Sequence, residues 1–134
     1  MGQAAQREGG IPADDIILVG SPGTGAQKAE QLGVGADHVW VGAADSDPVT
    51  HAPSDLEKSF GIGGHLMDPH ELHFGQDPSS EDFGGNRFDV DSGVPWDSHS
   101  SYFDSPEEGD PRSLNNMGAI VAGRPEKVTI QARR

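Results

Sequence analysis

Cysteine is missing from all 134 residues. Its absence excludes disulfides, thiolate catalysis and zinc–thiolate centres. Positive charge is scarce: 9 Lys and Arg stand against 22 Asp and Glu, for a net charge of -13. A field of that sign repels phosphate backbones, so nucleic acid is not an expected partner. Apolar residues are also few, at 33%, and no apolar run approaches the roughly 20 residues of a membrane helix, so no membrane partner is expected. The start, Met1-Gly2-Gln3-Ala4-Ala5-Gln6-Arg7, has no apolar stretch of a secretory leader. Gln6 also stands where a myristoylation signal needs Ser or Thr. A cytoplasmic location is the resulting expectation.

What is present is a set of short apolar islands among 19 Gly and 10 Pro. Residues 1–12 read as a polar leader or junction. Asp14-Asp15-Ile16-Ile17-Leu18-Val19-Gly20 follows. Four consecutive apolar residues bounded by acids and glycine suit a strand buried on both faces, and such strands belong mainly to helix-covered parallel sheets. Ser21-Pro22-Gly23-Thr24-Gly25 is a turn cluster. It lacks the Gly-Lys-Ser/Thr ending of a phosphate loop. The run 26–32 predicts a short helix with Ala26, Ala29 and Leu32 on one face, closed by Gly33. A second buried strand runs from His38 to Val41. Strand, short helix and strand make a βαβ unit, the crossover that parallel strands require.

From Ala43 to Asp97 no long element is expected. A loop of that length in a compact domain is functional or disordered, and Phe74, Phe83, Phe88 and Trp96 are its candidate anchors. Ser113 is the expected cap of a helix over 114–121. Leu114, Met117 and Val121 form its inward face, and Gly123 and Pro125 end it. Residues 124–134 read as a tail whose Val128-Thr129-Ile130 adds an edge strand.

The chemistry concentrates in two stretches, His38-Val39-Trp40-Val41-Gly42-Ala43-Ala44-Asp45-Ser46-Asp47-Pro48-Val49 and Ser98-His99-Ser100-Ser101-Tyr102-Phe103. In open parallel sheets, functional groups gather beyond the carboxyl ends of the strands. Asp45 and Asp47 lie just past such an end. His99 comes late, in a small-residue loop ahead of the last helix. A carboxylate that orients a histidine, which in turn shuttles a proton, is two thirds of a nucleophile–histidine–acid triad. The remaining third, a serine on a Gly-x-Ser-x-Gly elbow, is absent from the chain. Ser21, between Gly20 and Pro22, does not fit that elbow.

A second cluster, His65, Asp68, His70, Glu71 and His73, competes for a role in metal binding. Its His-x-x-His spacing is one residue short of His-Glu-x-x-His, and the acidic runs do not match a calcium loop. No metal and no cofactor are expected.

The series Asp-Asp-Ile-Ile-Leu-Val-Gly-Ser-Pro-Gly, His-Val-Trp-Val-Gly-Ala-Ala-Asp-Ser-Asp-Pro-Val, Phe-Gly-Gly-Asn-Arg-Phe and His-Ser-Ser-Tyr-Phe resembles the C-terminal part of an α/β-hydrolase, in a largely uncharacterised actinobacterial branch of that fold. The resemblance spans most of residues 13–123. It implies an α/β fold with a partial parallel sheet and the chain order Ser…Asp…His. It also implies His99 as general base and then acid. Asp47, in its Asp-Pro-Val context, is preferred over Asp45 as the orienting carboxylate. The expected function is the C-terminal half of a serine hydrolase that acts on a small-molecule ester or related acyl bond. Loop 51–98 would cover the substrate. The serine would come from a missing N-terminal half or a partner chain, so the chain alone is expected to be inactive or nearly so. The alternative is a non-catalytic acidic protein that binds divalent metal or a protein partner through 61–110.

Overall fold

The computed structural model describes residues 11–44, 75–91, 101–103 and 111–131. Strand β1 is Ile16–Val19 and strand β2 is Val39–Gly42. They pair in parallel with Ile16 opposite Val39 and Val19 opposite Gly42. A third strand, β3 (Asn86–Arg87), pairs in parallel with the other edge of β2, Trp40 opposite Asn86. The order is β1-β2-β3. The α/β fold with a partial parallel sheet is therefore what the chain adopts.

Period-2 alternation assigns each strand residue to a face. One face carries Ile16, Leu18, Val39 and Val41, packed with Ala26, Ala29, Leu32 and Phe83. The opposite face carries Trp40, packed with Ala44, Phe88, Val90, Tyr102, Ile120 and Val128, and with the half-buried Ile17 and Val19. Both sides of β2 are covered and all four of its residues are buried. In β1 only Ile16 and Leu18 are fully buried. Burial of side chains such as Leu32 and Phe88 contributes on the order of 1.5–3 kcal/mol each.

The crossover from β1 to β2 is tighter than an α-helix. Ala29–Leu32 is one 3-10 turn, closed by Gly33 at φ 82. The small face Ala26, Ala29 and Leu32 is buried as expected. Its strict spacing of three is the period of a 3-10 helix, in which i and i+3 eclipse. Gln31 further favours the short form, because its Oε1 accepts from the amides of Gln27 and Lys28.

Within the long stretch read as lacking elements, Glu81–Phe83 forms a 3-10 turn capped by Ser80, whose Oγ accepts from the Phe83 amide. Gly84 at φ 83 releases the chain into β3. Phe83 and Phe88 are the buried anchors that the sequence suggested. Phe74 and Trp96 lie outside the described residues.

Helix α1 is Arg112–Val121. It begins two residues earlier than expected, and Ser113 does not cap it. Ser113 is fully buried, and Asp91 supplies the cap instead: its Oδ2 accepts from the Ser113 amide at 3.1 Å, while Ser113 Oγ accepts from the Asp91 amide at 2.8 Å. An acid at a helix N-terminus satisfies an orphan donor and complements the helix dipole. Of the expected inward face Leu114, Met117 and Val121, Met117 does pack against the core cluster, but the face is rotated. Val121 is 82% exposed, and Ser113, Asn116 and Ile120 are buried. Asn116 can point inward because both ends of its amide are bonded: Nδ2 donates to the Asp89 carbonyl at 2.7 Å, and Oδ1 accepts from the Thr129 amide at 2.9 Å. Apolar periodicity cannot register a polar residue that is buried because it is satisfied.

The helix ends as the sequence indicated. Gly123 adopts φ 65, its amide donates to Ile120, and the Arg124 amide donates to Ala119. These two bonds form a Schellman motif. The tail then returns to the sheet. Ile130 bridges Phe88 in antiparallel sense, with Asp89 donating to Thr129 and Gln131 to Arg87. The expected edge strand is thus a single bridge, next to β3.

Candidate functional site

The carboxyl end of β2 is the place to build from. Beyond Gly42 the chain continues into Ala43 and Ala44, both buried. The peptide unit that joins them is bonded at both ends. Arg87 Nη2 donates to the Ala43 carbonyl at 3.2 Å, and the Ala44 amide donates to Tyr102 Oη at 3.0 Å. Arg87 is 2% exposed and Tyr102 1% exposed. Arg87 is held by β3, which lies beside β2. Tyr102 belongs to the 3-10 turn Ser101–Phe103 and packs with Trp40, Phe88, Ile120 and Val128. Burial pulls the Arg87 guanidinium below its ordinary pKa, and the negative charge of Asp77 opposes that shift.

The candidates Asp45, Asp47 and His99 all lie outside the described residues, as do His65, Asp68, His70, Glu71 and His73. In sequence, Asp45 follows Ala44 directly and His99 precedes Tyr102 by three. Ala44 and Tyr102, one from each of the two candidate stretches, are hydrogen-bonded across 58 positions of chain.

Ser21 has a local role. Its Oγ accepts from the Gly23 amide and donates to the Gly23 carbonyl, closing a side-chain turn. A carboxylate–imidazole pair is present at the other end of the strands. Asp15 Oδ1 accepts from His38 Nδ1 at 3.1 Å and from Trp40 Nε1 at 2.9 Å. This pair fastens the start of β1 to the start of β2, with His38 exposed to solvent. Among the described residues no group of three or more His, Asp or Glu is placed to hold a metal ion. No helix among them is long and apolar enough to cross a membrane.

Sequence reasoning missed Arg87, Tyr102 and the Asp15–His38–Trp40 fastening. Two signals pointed to them. Tyr102 is the sole tyrosine of the chain and follows two serines, Ser100 and Ser101. Asp15 and His38 each precede a strand by one position, so a parallel βαβ unit places them side by side. Arg87 carried no signal, because arginine is almost never fully buried unless it is paired.

Residues 1–57 match the family model of the α/β hydrolases. Two uncharacterized proteins of Mycobacterium tuberculosis are similar to the chain: MT2140 of strain CDC 1551 and Rv2079 of strain H37Rv. Each is 30% identical over 125 residues, which is 86% of this chain. The chain spans 18% of the length of these curated relatives. No solved structure matches it. The match to the α/β hydrolases and the parallel pairing of β1 and β2 within the matched residues agree on the fold class.

Proposed function

We propose that this chain carries the acid and the histidine of a Ser–Asp–His triad in a serine hydrolase that acts on an ester or related acyl bond. It corresponds to a C-terminal part of the α/β-hydrolase domain. His99 takes the serine proton and returns it to the leaving group. Asp47, or Asp45 in its place, accepts from the histidine and stabilises its cation. The serine and the oxyanion donors come from polypeptide outside these 134 residues, either a preceding half or a partner chain.

The observation that carries this reading is the bond between Ala44 and Tyr102. It ties the exit of β2, where a triad acid belongs, to the turn that follows the candidate histidine. Consecutive Cα atoms are about 3.8 Å apart, so the three residues from Tyr102 to His99 span at most roughly 11 Å. Asp45 is one residue from Ala44. A second feature supports an incomplete sheet: among the described residues β1 has a neighbour on one side only. Unpaired strand edges are natural sites for pairing with further chain.

The test is hydrolysis of an activated ester by a longer, serine-containing polypeptide that carries this segment. His99→Ala should lower kcat by roughly 10³-fold or more, the scale of losing a triad member. Unchanged turnover refutes the assignment. The 134-residue chain alone should show no turnover, since a base without nucleophile or oxyanion donors has nothing to activate.

A further inference from the structure

The tail is a segment to which the triad reading gives no role. Val128 is buried in the cluster that holds Phe88, Tyr102 and Ile120. Beyond it, three backbone groups of the tail are bonded to the body. The Thr129 amide donates to Asn116 Oδ1 at 2.9 Å. The Thr129 carbonyl accepts from the Asp89 amide at 2.8 Å, and the Gln131 amide donates to the Arg87 carbonyl at 2.9 Å. These last two bonds frame the antiparallel bridge of Phe88 and Ile130. A strand edge that holds an extended segment by main-chain bonds, with an apolar seat for a side chain, is a β-addition site. Here the site is the outer edge of β3 beside Asn116 of α1, and the segment is the chain's own.

The connection from helix to tail is of a different kind. Every residue from Val121 to Lys127 is exposed, between the buried Ile120 and Val128. Its backbone bonds, from Gly123 to Ile120, Arg124 to Ala119, Lys127 to Arg124 and Val128 to Pro125, are all local. The reversal at its start turns on Gly123, at φ 65. Opening this connection breaks local bonds, while the bonds of 128–131 can be remade on an identical body.

We infer that the β3 edge takes Val128–Gln131 from a second copy of this chain. The partner is fixed by identity: each copy offers both the site and the segment that fits it, so two exchanges close a symmetric dimer. The inference is independent of the triad reading. A tethered tail competes at an effective concentration of about millimolar. The dilute wild type therefore keeps its own tail, and exchange sets in as concentration nears that range. Gly123 controls the balance. A Cβ there meets nothing within 4 Å, so a substitution disturbs the backbone alone. The left-handed conformation disfavours a residue other than glycine by about 5- to 30-fold, and each dimer frees two such hinges.

The experiment is sedimentation equilibrium of the 134-residue chain and its Gly123→Val variant, with isotope-filtered NMR on a mixture of two differently labelled samples. The variant's association constant should exceed that of the wild type by about 25-fold or more. A nuclear Overhauser effect should connect Phe88 of one copy to Ile130 of the other. Gly118→Ala, at an open position within α1, should leave association unchanged. Thr129→Pro deletes the amide that donates to Asn116; added to Gly123→Val, it should return the chain to monomer. Gly123→Ala restrains the same backbone and serves if Gly123→Val does not fold. Wild type refolded at about millimolar concentration should show the same contact between copies. A Gly123 variant as monomeric as the wild type overturns the inference. So does a dimer without the Phe88–Ile130 contact between copies, which marks association through another surface.

Discussion

Gly42→Ala tests whether the end of β2 is packed as tightly as the structure shows. A Cβ at Gly42 would sit 2.6 Å from Phe88 Cζ, 3.0 Å from Phe88 Cε2 and 2.9 Å from Val90 Cγ1. Carbon atoms in contact prefer about 3.5–4.0 Å, so the methyl overlaps the ring by about 1 Å. Phe88 has no exposed surface, and its ring cannot swing outward to give way. Overpacking of this kind costs about 1–3 kcal/mol, and two neighbours at once place it near the upper end. Lower entropy of the unfolded chain returns about 0.4–1 kcal/mol. The net expectation is a loss of about 2 kcal/mol, read from the urea midpoint at constant m. Phe88→Leu removes the outer ring atoms and should cost about 2 kcal/mol alone. If the clash is the cause, the double variant should be more stable than the sum of the singles by at least about 1 kcal/mol. A Gly42→Ala protein within about 0.5 kcal/mol of wild type would refute the packing argument, because that is the range of an ordinary surface substitution.

Further predictions concern the polar groups that hold the elements together. Asn116→Ala should cost about 2–3 kcal/mol by leaving the Asp89 carbonyl and the Thr129 amide without a partner, and hydrogen exchange should show Thr129 losing protection first. Asp15→Ala should cost about 1–2 kcal/mol through the Trp40 indole N–H, which is largely buried. His38→Ala should stay within about 0.5 kcal/mol, since that imidazole is solvent-exposed; denaturation midpoints separate the two.

Much of the architecture could be read from the order of residues. The runs Ile16–Val19 and Val39–Val41 are apolar without a break, and both are strands of a parallel pair. Gly33 and Gly123 end their elements through positive φ, a backbone preference local enough for sequence to carry. Interactions between distant segments were the hidden part. β3 is two residues, Asn and Arg, with no apolar signature; it exists because Phe83 and Phe88 bury on either side of it. The cap of α1 comes from Asp91, 22 residues before Ser113, which no local capping pattern can register. Its inward face follows Asn116 and Ser113, polar residues made tolerable by partners on other segments. At the candidate site, sequence singled out Asp45, Asp47 and His99, which lie outside the described residues. The structure adds the frame, Arg87 and Tyr102 around one peptide unit. Arg87 is not conspicuous until the strands are placed side by side.

The central claim is that this segment supplies a working histidine and acid to a serine located elsewhere. Covalent labelling with a fluorophosphonate tests it most directly, since such probes react with a serine only when its base is engaged. The 134-residue chain should remain unlabelled, Ser21 included. A longer polypeptide carrying it should be labelled at one serine outside these residues, and His99→Ala should abolish that label. Labelling of a serine within this chain, or labelling that survives His99→Ala, would contradict the claim.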